Sequence, residues 1–217
     1  MNTINDSPAP TSRTVAAQTF IAFDGGEGCG KSTQIQLLRL TLESRGNRVL
    51  AVRDPGTTRI GELVRSILLD PSNVEMGMRC EMLLYMAARS QMMHEVIAPA
   101  LARGEIVLTD RFVSSTLAYQ LGGDGLTADE IRTAASIALS GRMPDLTIIL
   151  DMPPELAIAR VKRSKDRIEQ RPVEYHQRVR ENFLSQAKTS PQNHRVIDAS
   201  QSVDVVSAEV WNAISKP

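Results

Sequence analysis

This chain predicts a three-layer α/β/α fold around a five-stranded parallel sheet, and three observations carry that prediction. Short apolar runs alternate with longer helical stretches along the sequence, the pattern of a parallel sheet covered on both faces. Glycine, proline and aspartate punctuate the junctions between them. The apolar run Phe20-Ile21-Ala22-Phe23 leads directly into Gly25-Gly26-Glu27-Gly28-Cys29-Gly30-Lys31-Ser32-Thr33, and a helical stretch follows. Strand, glycine-rich loop and helix start therefore arrive in the order of a P-loop NTPase.

The elements follow in order. Residues 18–24 form the first strand, and residues 30–45 a helix ended by Gly46. A second strand at 48–53 closes on Asp54-Pro55-Gly56, and a helix at 59–69 stops at Asp70-Pro71-Ser72. A long helical stretch from 75 to 103 ends at Gly104, and 105–110 is a strand. After the loop at 122–125, Thr127-Ala128-Asp129-Glu130 reads as a capping box for the next helix. The fourth strand is 146–150, and Pro153-Pro154 opens a helix at its tolerant first turn. Residues 193–198 supply the fifth strand and 203–214 a closing helix. No repeat or internal boundary appears, so residues 18–217 read as one domain. Residues 1–17 read as a disordered tail, rich in Ser, Thr, Pro and Ala and without the basic start and apolar centre of a secretory signal.

A net charge of zero over 217 residues gives no electrostatic reason to expect nucleic acid or a membrane surface as partner. No apolar run is long enough to span a bilayer. Cys29 and Cys80 sit where no bridge is expected, which fits a reducing cytoplasm, and no Cys/His cluster suggests zinc.

Four constellations carry chemistry. In the glycine-rich segment, Gly25, Gly26, Gly28 and Gly30 let the backbone curl so that successive N–H groups point at an anion, and the helix N-terminus adds partial positive charge. Lys31 would reach the β- and γ-phosphates of a nucleotide, and Ser32 would sit on Mg²⁺; the alternative is a glycine-rich turn that binds nothing. Asp110-Arg111-Phe112 stands at the C-terminal end of a strand, where ligands of open α/β sheets gather. There Asp110 can contact Mg²⁺ and Arg111 can clamp a phosphate, or Asp110 can cap the next helix with Arg111 as its partner. Tyr85 and Arg89 lie one helical turn apart and suit a flat base with a polar edge; equally, they suit a core aromatic and a solvated cation. Finally, the basic run 160–167 is either a solvated face or a lid whose arginines close over a transferring phosphoryl group.

Taken together, these residues resemble the thymidylate kinase family from Phe20 to Ile214. The matching stretches are F-D-G-G-E-G-C-G-K-S-T from Phe23, R-D-P-G from Arg53, G-E-L-V-R from Gly61 and L-L-Y-M-A-A-R from Leu83. They continue with D-R-F-V-S-S-T-L-A-Y-Q from Asp110, P-D-L-T-I-I-L-D from Pro144, D-R-I-E from Asp166 and V-I-D-A-S from Val196. The resemblance implies transfer of the γ-phosphate of ATP to dTMP in a homodimeric enzyme with a lid near residues 160–172. It implies that Gly25 to Thr33 hold the ATP phosphates, with Ser32 and Asp110 organising magnesium. Glu27 would touch the acceptor sugar's 3′-hydroxyl, and Arg53 and Arg111 would grip the dTMP phosphate. Tyr85 would stack on thymine, Arg89 would bond its edge, Ser115 and Thr116 would lie along the base, and Tyr119 would crowd the 2′ position. Because Gly28 occupies the loop position where some members carry arginine, the resemblance makes Arg160, Arg163 and Arg167 the candidates for the missing charge. The chain departs from the family at Asp54 (commonly Glu), Thr57 and Leu121 (both commonly Gly) and Tyr85 (usually Phe). A kinase for another nucleotide or nucleoside, or a regulatory ATP-binding protein, are the rival readings.

Overall fold

The computed structural model describes residues 15–161 and 166–215. Arg163 and most of the expected N-terminal tail lie outside these residues. Val15, at the end of that segment, is buried against the core.

Five parallel strands form one sheet in the order β2-β3-β1-β4-β5. They are β1 (Phe20–Gly25), β2 (Val49–Arg53), β3 (Ile106–Asp110), β4 (Leu146–Asp151) and β5 (His194–Asp198), so all five expected strands are present. β1 is buried along its whole length. Its side chains alternate between the two faces: Ile21 and Phe23 join one apolar cluster, Phe20 and Ala22 the other. A continuous apolar run is what a strand covered on both sides requires.

Helices α1 (Lys31–Ser44) and α9 (Val203–Ile214) cover the first face, where Leu38, Leu42, Val206 and Val210 pack. The other face is covered by α3 (Met78–Met92), which continues through a widened turn at Met93–Ile97 into α4 (Ala98–Ala102), and by α6 (Ala128–Leu139). The expected helix at 75–103 is thus one run starting at Met78. Its widened turn precedes Pro99, which has no N–H to continue the regular ladder. The capping box on α6 is present, Thr127 Oγ1 accepting from the Glu130 N–H. α2 (Arg59–Leu69) is capped by Thr58, whose hydroxyl accepts from the Gly61 N–H.

α5 (Val113–Tyr119), α7 (Pro154–Ala159) and α8 (Val173–Thr189) complete the fold. The sequence-based element list lacks α5 and α8. In α8, Tyr175, Val179 and Phe183 recur every four residues, which builds a buried stripe against Ala118 and Tyr119 of α5.

Candidate active site

All strand C-termini point to one edge of the sheet, and β1 and β3 deliver the loop and Asp110 there side by side, Phe23 pairing with Asp110. In the loop, Gly25 has φ +132° and Gly28 φ +77°. A Cβ at Gly25 would stand 2.4 Å from the Leu150 carbonyl oxygen, and one at Gly28 2.1 Å from that of Ala157. Both positions therefore demand glycine for conformation and for space. Lys31 is buried, and its Nζ donates to the carbonyls of Gly26 (2.8 Å) and Gly25 (3.2 Å). Ser32 Oγ donates to Asp110 Oδ2 at 2.9 Å.

Arg111 adopts φ +71°, a left-handed conformation that a non-glycine residue seldom takes. That turn aims its guanidinium back at the loop. Nη1 donates to the Gly25 carbonyl and to Ser115 Oγ, both at 3.0 Å, and Nη2 pairs with Glu27. Burial works against the charge on Arg111, but Glu27, Asp110 and Asp24 outweigh it and hold the guanidinium protonated well above its ordinary range. Beneath this pair lies Asp24, fully buried. Desolvation raises its pKa to about 7, against the pull of the Ser115 hydrogen bond and Arg111.

Opposite the loop stand Tyr85 and Arg89. Arg89 is only 1% exposed. Its Nε donates to Asp54 Oδ2 (2.6 Å), Nη1 to Thr116 Oγ1 (2.7 Å) and Nη2 to the Phe112 carbonyl (2.9 Å). Asp54, the residue where the family commonly has Glu, is therefore the buried counter-charge of Arg89. Thr57 has φ +70°, and its hydroxyl bonds both the N–H and the carbonyl of Arg53 at 3.0 Å, which offsets the cost of a side chain where glycine is usual. Burial raises the phenols of Tyr85 and Tyr119 above their ordinary range.

One cavity of about 460 Å³ joins these groups. Glu27, Gly28, Gly30, Lys31, Ser32 and Thr33 line it from the loop, and Asp110 and Arg111 from β3. Arg53, Tyr85, Arg89, Ser115, Thr116, Tyr119 and Arg160 line it as well. Gly25, Gly26 and Cys29 support the loop from outside the lining. Arg167 is not among the residues lining the cavity: its side chain is 9% exposed and pairs with Glu81 on α3. Asp54, Arg65, Gln120, Asp166 and Ile168 line the cavity without having been singled out as site residues. Two buried atoms of the lining residues, Asp54 Oδ1 and the Tyr119 hydroxyl, have no hydrogen-bond partner. A polar ligand would supply one.

The family model for thymidylate kinase matches residues 23–210. The chain belongs to the thymidylate kinase family. It is 46% identical to thymidylate kinase from Desulforudis audaxviator over 194 residues, covering 88% of each chain. Identity to the Bifidobacterium longum enzyme is 42% over 200 residues, covering 91% of this chain and 97% of that one. The crystal structure of thymidylate kinase from Ehrlichia chaffeensis superposes with a TM-score of 0.74 at 30% identity, covering 91% of this chain and 98% of that one. The chain is accordingly a nucleoside monophosphate kinase with the P-loop fold.

Proposed function

We propose that this thymidylate kinase family member transfers the γ-phosphate of ATP to dTMP, giving dTDP and ADP. The observation that carries the reading is Arg111, whose guanidinium bonds the Gly25 carbonyl in the loop and the Ser115 hydroxyl on α5 at once. One cation stands where a donor and an acceptor phosphate must meet.

The attacking oxygen belongs to a phosphate already ionised near neutral pH, so no strong general base is needed. Bringing two anions into line and neutralising them is the chemical task. Gly25 to Thr33 offer backbone N–H groups to the ATP phosphates, Lys31 a point charge, and Arg53 and Arg111 grip the acceptor phosphate. Glu27 orients Arg111 and faces the acceptor sugar. Tyr85 stacks on the base with Arg89 at its edge, while Ser115, Thr116 and Tyr119 bound the sugar side. Magnesium fits Ser32 and Asp110: both offer hard oxygens on one side, and among the described residues no cluster of three acidic, His or Cys side chains could cage the ion alone. When bound, it supplies charge neutralisation between donor phosphates. Of the basic run, Arg160, which lines the cavity, is the arginine suited to the transferring group.

A homodimer is supported by Ile60, Leu63 and Ile67, an exposed apolar stripe on α2, beside exposed Leu83 on α3. Size-exclusion chromatography with light scattering tests it. A cytoplasmic location is supported by the unpaired Cys29 and Cys80, and no helix among the described residues is long and apolar enough to cross a membrane. For the reaction itself, ADP formation should depend on added dTMP. Turnover of dUMP should be modestly lower, since one methyl contact is worth about 1–3 kcal/mol, and purine monophosphates should be poor. ADP formation that ignores dTMP, or equal use of a purine nucleotide, would sink the reading.

A further inference from the structure

Glu81 is completely buried, yet it belongs neither to the cavity lining nor to the apolar core. It lies one helical turn before Tyr85 and two before Arg89, on the same face of α3. Its Oε1 accepts from Gln120 Nε2 at 2.7 Å. Its Oε2 accepts from Arg167 at 2.5 Å and from Arg171 at 2.8 Å.

Each partner belongs to a different part of the acceptor wall. Gln120 follows α5 and lines the cavity itself. Arg167 and Arg171 belong to the turn whose Asp166 and Ile168 line it, and Asp166 stiffens that turn by accepting from the N–H groups of Ile168 and Glu169, both at 2.9 Å. Arg167 Nε also donates to the Leu68 carbonyl at 2.9 Å, which adds α2 to the junction. Arg171 reaches the Tyr175 hydroxyl (2.5 Å), which donates in turn to the Tyr119 carbonyl (2.9 Å). A buried ion cluster adds little net stability over an apolar contact of the same volume, but its bonds are directional. Its gain therefore lies in fixing geometry.

We propose that Glu81 is a positioning residue for the acceptor end of the cavity, locking α3, the end of α5 and the 166–171 turn into one wall. The proposal rests on the kinase reading above. The phosphate loop lies outside this cluster, held by its own backbone and by α1, so the effect of losing Glu81 falls on one substrate.

The test is steady-state kinetics of Glu81→Gln, with dTMP and ATP varied in turn at temperatures well below its melting point. The amide keeps the size and the contact to Gln120 while removing the charge between the two arginines. kcat/KM for dTMP should fall at least about fivefold, while KM for ATP changes by less than about threefold. A role confined to stability would move both substrates together or neither. Arg171→Met leaves Arg167 to balance Glu81 and is read by the same two criteria if Glu81→Gln does not fold. A smaller change for dTMP, or an equal rise in KM for ATP, overturns the proposal. Failure of the parent protein to form ADP in response to dTMP overturns the kinase reading instead, before any variant is compared.

Discussion

Arg89 and Asp54 form an ion pair in which each side chain is only 1% exposed, Nε to Oδ2 at 2.6 Å. The pair joins α3 to the loop after β2 and leaves two more guanidinium nitrogens bonded to Thr116 and the Phe112 carbonyl. Burial pushes the Asp54 carboxyl above its ordinary range while Arg89 pulls it down. Breaking such a pair leaves an uncompensated buried charge, so Asp54→Ala should cost about 3–5 kcal/mol of stability and lower kcat/KM for dTMP. Urea denaturation with circular dichroism reads the first and coupled ADP detection the second. An unchanged unfolding midpoint would show that water replaces the carboxylate freely.

Asp24 makes stability depend on pH. Its pKa is raised by burial from 3.8 to about 7. Between those values the folded protein keeps a proton that the unfolded chain has released, so this group's contribution to stability falls as pH rises, by about 1.4 kcal/mol per unit at most. Below the window both states are protonated, and above it both are ionised. Asp24→Asn should therefore gain on the parent between about pH 4.5 and about pH 7, and the gap should stop widening above that. Parallel unfolding midpoints across the window would contradict this.

Lys31→Ala should lower phosphoryl transfer by about a hundredfold or more with the fold intact, because it removes a charge aimed at the phosphates from a loop shaped by its glycines. dTDP formation beside a circular dichroism spectrum checks both halves. Near-normal turnover in a folded variant would remove the loop from the mechanism.

Arg160 and Arg167 should separate cleanly. Arg160 lines the cavity, and Arg160→Ala should lower kcat more than it weakens dTMP binding, the mark of an interaction made chiefly in the transition state. Arg167 is tied to Glu81 and the Leu68 carbonyl, so Arg167→Ala should lower the melting temperature and raise KM for dTMP more than it lowers kcat. Calorimetry and dTMP titration distinguish them. Normal turnover of Arg160→Ala, Arg163→Ala and Arg167→Ala alike would leave the basic run without a catalytic member.

The parallel sheet was legible because each of the first four strands is a short, mainly apolar run between breakers, and the loop because its glycines obey a spacing set by phosphate. α8 escaped because only three of its buried residues, Tyr175, Val179 and Phe183, form the stripe that packs on α5, within a polar segment. Tyr85 and Arg89 could be placed on one face from spacing, but Asp54, 35 residues away, becomes the partner of Arg89 only through the cis Asp54–Pro55 loop meeting α3. Arg167 was selected for its charge. Charge in a basic run says nothing about direction, and here the side chain turns inward to Glu81, whose significance depends on three segments far apart in sequence.

The pairing of Phe23 with Asp110 divides this site into an inherited half and an adjustable one. Groups that handle the triphosphate hang from neighbouring strands whose separation, about 4.8 Å, is set by backbone hydrogen bonds that no side-chain substitution rewrites. Those that face the acceptor's base hang from α3 and α5 and depend on a handful of side-chain contacts. A new acceptor preference can thus be written into residues 81–89 and 115–120 while the donor chemistry is left untouched.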